Sequence, residues 1–203
     1  MKNTLLLCLL IIPLSTLADI KILCLGDSLT AGFNLEQNHA YPHLLEQQLK
    51  AQKHAVKVVN AGISGSTTAS APSRLRWHLR SKNRADILLL ALGANDGLRG
   101  LNLQDAKRHL LKTIQLAHKN NMQVLLAGMK IPPSYGLEYT REFDQMYIDI
   151  AANEAVSFIP FLLEGVATKS EYNLPDGIHP NADGHQIISQ TILKHLLPLL
   201  ETP

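Results

Sequence analysis

Short apolar runs alternate with longer amphipathic stretches along most of this chain. The runs at 20–25, 56–59, 87–92, 124–127 and 156–159 are apolar on nearly successive residues, the pattern of strands buried on both faces. The stretches at 41–52, 72–79, 103–120, 138–153 and 181–200 carry their apolar residues at helical spacing. Strands alternating with helices predict an α/β fold with a parallel sheet covered on both faces. In such sheets the ligand site lies beyond the carboxyl ends of the strands, so the loops leaving the strands are where chemistry is expected. No repeat or low-complexity linker interrupts the alternation, and one domain is expected over 19–203.

The first eighteen residues follow a different pattern. Lys2 supplies a positive start, 5–12 is an unbroken apolar run, and Pro13 precedes Ser15, Thr16, Leu17 and Ala18. That is the layout of a secretory signal peptide, and the run is too short for a comfortable permanent span. Cys8 follows a large leucine and precedes more apolar residues, which argues against lipid attachment there. Cleavage after Ala18 would make Asp19 the first mature residue, with a periplasmic destination and no stable membrane insertion expected. Cys24 would then be the sole cysteine, unable to form an internal disulfide and read as a buried, inert thiol.

Four loop regions concentrate glycine and small polar residues. The first strand leads into Gly26-Asp27-Ser28-Leu29, the second into Asn60-Ala61-Gly62-Ile63-Ser64-Gly65, and the third into Gly93-Ala94-Asn95-Asp96. Asp176-Gly177-Ile178-His179-Pro180 stands before the last helix. Recurring glycine at one edge of a sheet points to a shared site, because glycine lets backbone approach a ligand closely. Ser28 falls where a strand ends and a helix opens; alone, it or Asp27 would read as a helix cap. Asp176 and His179 change that reading. A serine hydroxyl needs a base, imidazole suits the task near neutral pH, and a carboxylate fixes the imidazole tautomer. Asn95 offers an amide donor and Gly65 an unobstructed N–H, which with the N–H of Ser28 could hold an oxyanion. The phosphate-cradling glycine motifs and the G-x-S-x-G elbow are missing from the sequence.

Composition narrows the partners. With 19 Lys plus Arg against 17 Asp plus Glu, nothing favours electrostatic capture of nucleic acid or an anionic membrane. The local basic cluster Arg74, Arg76, Arg80, Lys82 and Arg84 reads as a solvated helix face and loop. A monomer acting on a small substrate is expected.

In this order and over nearly the whole mature chain, the four blocks resemble the GDSL lipolytic family, also called SGNH hydrolases. Within it the chain looks most like the periplasmic multifunctional esterases of Gram-negative bacteria, which act as thioesterases, lysophospholipases and arylesterases. The segments around Asn60 to Gly65, Asn95 to Gly100 and Ile131 to Gly136 carry that likeness. The resemblance implies a three-layer α/β/α fold on a five-stranded parallel, flavodoxin-like sheet. It implies Ser28 as nucleophile, Asp176 and His179 as its partners, and the Ser28 backbone, Gly65 and Asn95 as oxyanion donors. It also implies no cofactor, an ester or thioester substrate, and a loop at 130–137 bordering the acyl groove; in that loop Tyr135 and Leu137 offer apolar surface beside a site of small polar residues and are expected to bind substrate. Some relatives carry serine where this chain has Gly62, a departure expected to have no mechanistic consequence.

Two other readings remain on the residues alone. Asp176, His179, Asp183 and His185 lie within ten residues and could bind a metal, which would leave Ser28, Gly65 and Asn95 unexplained. A non-enzymatic protein could instead hold a small acidic ligand in the glycine loops. His185 is expected on the last helix, away from the Asp176 turn and partly exposed.

Overall fold

The computed structural model describes residues 19–80 and 84–201; the expected signal peptide at 1–18 and Lys82 lie outside the described residues. Five parallel strands form its sheet: β1 (Ile20–Gly26), β2 (Val56–Gly62), β3 (Ile87–Ala91), β4 (Gln123–Ala127) and β5 (Ser157–Ile159). Their order is β2-β1-β3-β4-β5, the flavodoxin-like arrangement with its switch point between β1 and β3. β3 is buried at every position and β1 over its last five, which is why both read as continuous apolar runs. β2 runs to Gly62, beyond the expected end at 59. Asn60, Ala61 and Gly62 continue pairing opposite Cys24, Leu25 and Gly26, because an edge strand tolerates a polar residue on its outer side.

Among the described residues seven α-helices complete the layers: α1 (Ser28–Ala31), α2 (Tyr41–Ala51), α3 (Ala71–Leu79), α4 (Ala94–Leu98), α5 (Leu103–His118), α6 (Leu137–Glu154) and α7 (Ala182–Leu200). The five long ones match the amphipathic stretches to within about two residues, and α1 and α4 are single turns that carry site residues. α2 packs on α7, and α3 and α6 both pack on α5, giving one helical layer on each face. Cap chemistry sets the starts. Asn102 accepts from the N–H groups of Gln104 and Asp105 at α5, and Asn181 accepts from Gly184 at α7. Cys24 is buried, and burial pushes its thiol far above the ordinary range, as an inert core residue requires.

His185 departs from expectation. It lies on α7, but it is 1% exposed, and its Nδ1 accepts the N–H of Tyr41 at 3.2 Å. Tyr41 in turn bonds through its hydroxyl to Thr30 Oγ1 at 2.8 Å, so α7, α2 and α1 are braced through three polar side chains. The first turn of α2 has an orphan N–H there, and a buried acceptor is worth more than solvent exposure of the ring.

Burial, with the nearby charge of His179 as a smaller cause, holds the His185 imidazole down to about 4. An unfolded imidazole protonates near roughly 6.5, so the stability from neutral His185 is fully present above that pH and lost as pH falls toward 4. The variant His185→Asn presents Oδ1 to the Tyr41 N–H without a titrating group. Its melting temperature relative to wild type should therefore rise as pH drops from 6.5 to 4 in thermal melts. A flat difference would show that His185 is not held neutral in the fold.

Candidate active site

The sheet register places the first site elements. Gly26 stands opposite Gly62 of β2 and Ala91 of β3, so the segments after β1, β2 and β3 emerge side by side. Asp27 caps α1, its Oδ1 accepting the Leu29 N–H at 3.0 Å, and Ser28 is the first residue of that single turn. Gly32, at φ 77, ends it. A Cβ built on Gly62 would stand 2.2 Å from the backbone N of Ala31, so the bare strand end lets α1 sit directly on β2. A serine there requires α1 to shift.

Arg74 also departs from the solvated face expected for its cluster. Its guanidinium donates to the carbonyls of Gly26 (2.9 Å) and Ala61, tying the ends of β1 and β2 beneath the nucleophile turn. Arg76, Arg80 and Arg84 are exposed, as expected.

The turn before α7 supplies the other groups. Leu174 N donates to His179 O at 2.7 Å, and Gly177 takes a left-handed φ of 68, closing a tight loop. Asp176 Oδ1 accepts the N–H groups of Ile178 and His179, both at 2.9 Å, while Oδ2 meets His179 Nδ1 at 2.8 Å. Those backbone bonds, and then the imidazole, hold the Asp176 carboxyl down to about 2. It is therefore ionised and can only accept, which puts the proton of a neutral His179 on Nδ1. Nε2 is left to accept from Ser28 Oγ, 3.0 Å away. The Phe33 ring lies against His179 with centroids 4.3 Å apart, limiting the imidazole's freedom. Ser28, His179 and Asp176 thus form one continuous hydrogen-bonded line.

Asn95, on α4, faces the same point. Its Nδ2 donates to Ser66 O at 3.1 Å and lies 3.4 Å from Asp27 Oδ2. Arg99 spans its other side, reaching Asn95 Oδ1 at 3.5 Å and Gly65 O at 3.0 Å. Gly65 holds φ 76, a conformation that disfavours any side chain, so the turn carrying it is brought to Asn95 by glycine's freedom. Asp96, next in sequence, accepts both the N–H (2.9 Å) and the hydroxyl (2.7 Å) of Thr68, locking α4 to the same turn.

Beside Ser28 lies a cleft of about 300 Å³ whose apolar walls include Leu98, Met129, Ile131, Pro132, Leu163 and Ile178. The expected loop at 130–137 contributes through its first residues. Tyr135 and Leu137 are not in the lining: Leu137 is 74% exposed, and the Tyr135 hydroxyl donates to Leu98 O at 3.0 Å. Ile131 and Pro132, earlier in the loop, line the cleft instead. A larger recess, about 780 Å³, lies at Lys21, Lys57, Trp77 and Arg80, away from Ser28 and His179.

The metal reading does not match this geometry. Asp183 is exposed while His185 is turned into the core, and among the described residues no group of three His, Cys, Asp or Glu is placed to hold a metal. Sequence reasoning missed the contacts of Arg74 and Arg99 and the approach of Asp27 to the Asn95 amide. Arginine in a basic cluster and aspartate before a helix each have a commoner explanation.

Comparison with known proteins covers most of the chain. A profile of the GDSL-like lipase/acylhydrolase family matches residues 24–187. An arylesterase of Vibrio mimicus is 36% identical over 183 residues, 88% of this chain and 91% of the relative. The thioesterase 1/protease 1/lysophospholipase L1 of Escherichia coli (strain K12) is 35% identical over 179 residues, 88% of this chain and 84% of that one. The crystal structure of the psychrotrophic esterase EstA from Pseudoalteromonas sp., inhibited by monoethylphosphonate, matches with a TM-score of 0.85 and 29% identity. That match covers 91% of this chain and all of the other.

The charge on Asp27 has a cost that can be measured. Burial is the main reason its carboxyl is pushed up to about 6, against the opposing Leu29 N–H, His179 and the Asn95 amide. Arg74, Tyr41 and Tyr147 are the other titratable groups that feel its charge. From an ordinary value of roughly 3.9, the cost of ionising it in the fold is absent at low pH, grows between about 4 and 6, and is at most about 3 kcal/mol above. The melting temperature of Asp27→Asn relative to wild type should accordingly rise as pH increases from 4 to 7. A difference that stays flat over that range would show that ionising Asp27 carries no cost in the fold.

Proposed function

This chain belongs to the GDSL-like lipase/acylhydrolase family and is an ester-hydrolysing enzyme, and we propose that it works through an acyl-enzyme on Ser28. The observation that carries the proposal is the unbroken line from Ser28 Oγ through His179 to Asp176, at 3.0 and 2.8 Å. Ser28 Oγ attacks the carbonyl carbon of the ester or thioester as His179 Nε2 takes its proton. The charge on the carbonyl oxygen is met by the N–H groups of Ser28 and Gly65 and by the Asn95 amide. Collapse breaks the bond to the leaving oxygen or sulfur, which receives the proton from His179. Water, deprotonated by the same imidazole, then releases the acid and restores Ser28. Asp176 keeps the imidazole in the productive tautomer and stabilises its charged form.

The acyl group lies in the apolar cleft beside Ser28, and the relatives' names, arylesterase and thioesterase 1/lysophospholipase L1, set the range of leaving groups to test. The proposal includes export. The pattern at 1–18 places the cut after Ala18, and among the described residues no helix is long and apolar enough to cross a membrane.

One measurement on native protein tests nucleophile and export together. A fluorophosphonate probe should label Ser28, and the labelled chain should begin at Asp19 by intact mass. Ser28→Ala should keep its circular dichroism and lose both label and turnover. Normal turnover in that variant would remove the mechanism, and a retained Met1 would remove the export.

The cleft makes its own prediction. Ala167 lines it and is half-buried. Ala167→Leu should lower kcat/KM for long-chain p-nitrophenyl esters by about tenfold or more while sparing the acetyl ester. Tyr135→Ala and Leu137→Ala should shift that preference less. Equal losses on acetyl and long-chain esters would mean that the acyl chain lies elsewhere.

A further inference from the structure

Asp27 is a carboxylate buried to 1% exposure with no ion-pair partner among the described residues. Capping α1 does not explain it, because serine, threonine or asparagine caps a helix as well without a buried charge. Its second oxygen does. Oδ1 accepts the Leu29 N–H of the nucleophile turn at 3.0 Å, and Oδ2 faces Asn95 Nδ2 at 3.4 Å, across the switch point between β1 and β3.

We infer that Asp27 is a positioning residue for acyl transfer: its two oxygens join the turn that carries Ser28 to the amide of Asn95 and fix which end of that amide faces the oxyanion. The inference rests on reading Asn95 as an oxyanion donor. An amide can flip its N and O ends at little steric cost, and only hydrogen bonding decides between them. Here an acceptor-only carboxylate and the Ser66 carbonyl claim the NH2 end, while the Arg99 guanidinium claims the oxygen. Serine or threonine at position 27 lacks the second oxygen. Asparagine, keeping the cap through its oxygen, would turn its own NH2 toward that of Asn95, donor against donor. Among residues that cap well, aspartate alone meets both demands. At 3.4 Å the contact is loose enough for the amide to share that proton with an oxyanion as it forms, a three-centre arrangement.

The test is a cycle of Asp27→Asn, Asn95→Ala and the double variant in the full-length enzyme, with p-nitrophenyl acetate and Ser28 labelling by fluorophosphonate as readouts. Asn95→Ala should lose about 10²–10³ in kcat. Asp27→Asn should lose about tenfold to a hundredfold in kcat, with KM nearly unchanged, as misplacement of a catalytic group does. The double variant should be no slower than Asn95→Ala alone, because Asp27 acts through that amide. Asp27→Ser, which keeps the cap, should lose as much as Asp27→Asn. Wild-type kcat in Asp27→Asn, or a double variant slowed by the product of the two single losses, would overturn the role of Asp27 and leave Asn95 in place. Unchanged kcat in Asn95→Ala would remove the oxyanion assignment itself, and the role of Asp27 with it.

Discussion

The parallel pairing of β1 with β3 is the constraint on which the rest of this molecule depends. Leu25 and Gly26 lie against Leu90 and Ala91 in a sheet buried on both faces. A slip of one residue would turn every side chain of β1 to the opposite face and misfit the close packing of both helical layers, so packing fixes the register. Fixed register means fixed exits. The chain leaves β1 at Asp27 and Ser28 and leaves β3 at Gly93 and Asn95, on either side of the switch point. The nucleophile and the proposed oxyanion donor are therefore held together by the sheet. Gly62 and Arg74 extend the same logic to β2, one by its missing side chain and the other by bonding two strand-end carbonyls.

Around that frame two buried titratable groups work in opposite directions. Asp27 is easier to keep in the fold when protonated, and His185 when neutral. Between about pH 6 and pH 4 acid relieves the first and strains the second, so their contributions to stability oppose each other in the native protein. Both sit against α1: Asp27 as its cap, His185 through Tyr41 and Thr30. Neither is a catalytic group in the proposed mechanism, yet each secures the position of Ser28. Asp176 stands in contrast. It is partly exposed, saturated with backbone donors and ionised throughout, which suits a group whose task is to orient an imidazole without changing charge itself.

The alternation of apolar runs and helical stretches determined the layers, the parallel sheet and the location of the site, because burial on both faces leaves its mark on every strand. Ser28, Asp176 and His179 were legible because four glycine-rich blocks occur together and in order along the chain, although each block alone would read as a cap or a turn. Other features depended on distances between residues far apart in the chain. Nothing local distinguishes Arg74 from Arg76, but one bonds the carbonyls of Gly26 and Ala61 while the other faces solvent. His185 looked like a helix-surface residue until Tyr41, 144 positions away, claimed its Nδ1. Tyr135 and Leu137 are apolar in the loop beside the site, yet Ile131 and Pro132, with Leu163 from another loop, make the cleft. Periodicity and turn chemistry are local and survive in the sequence. Which buried donor meets which acceptor, and which apolar residue borders a cavity, is set only when the layers close, and tertiary packing alone decided it.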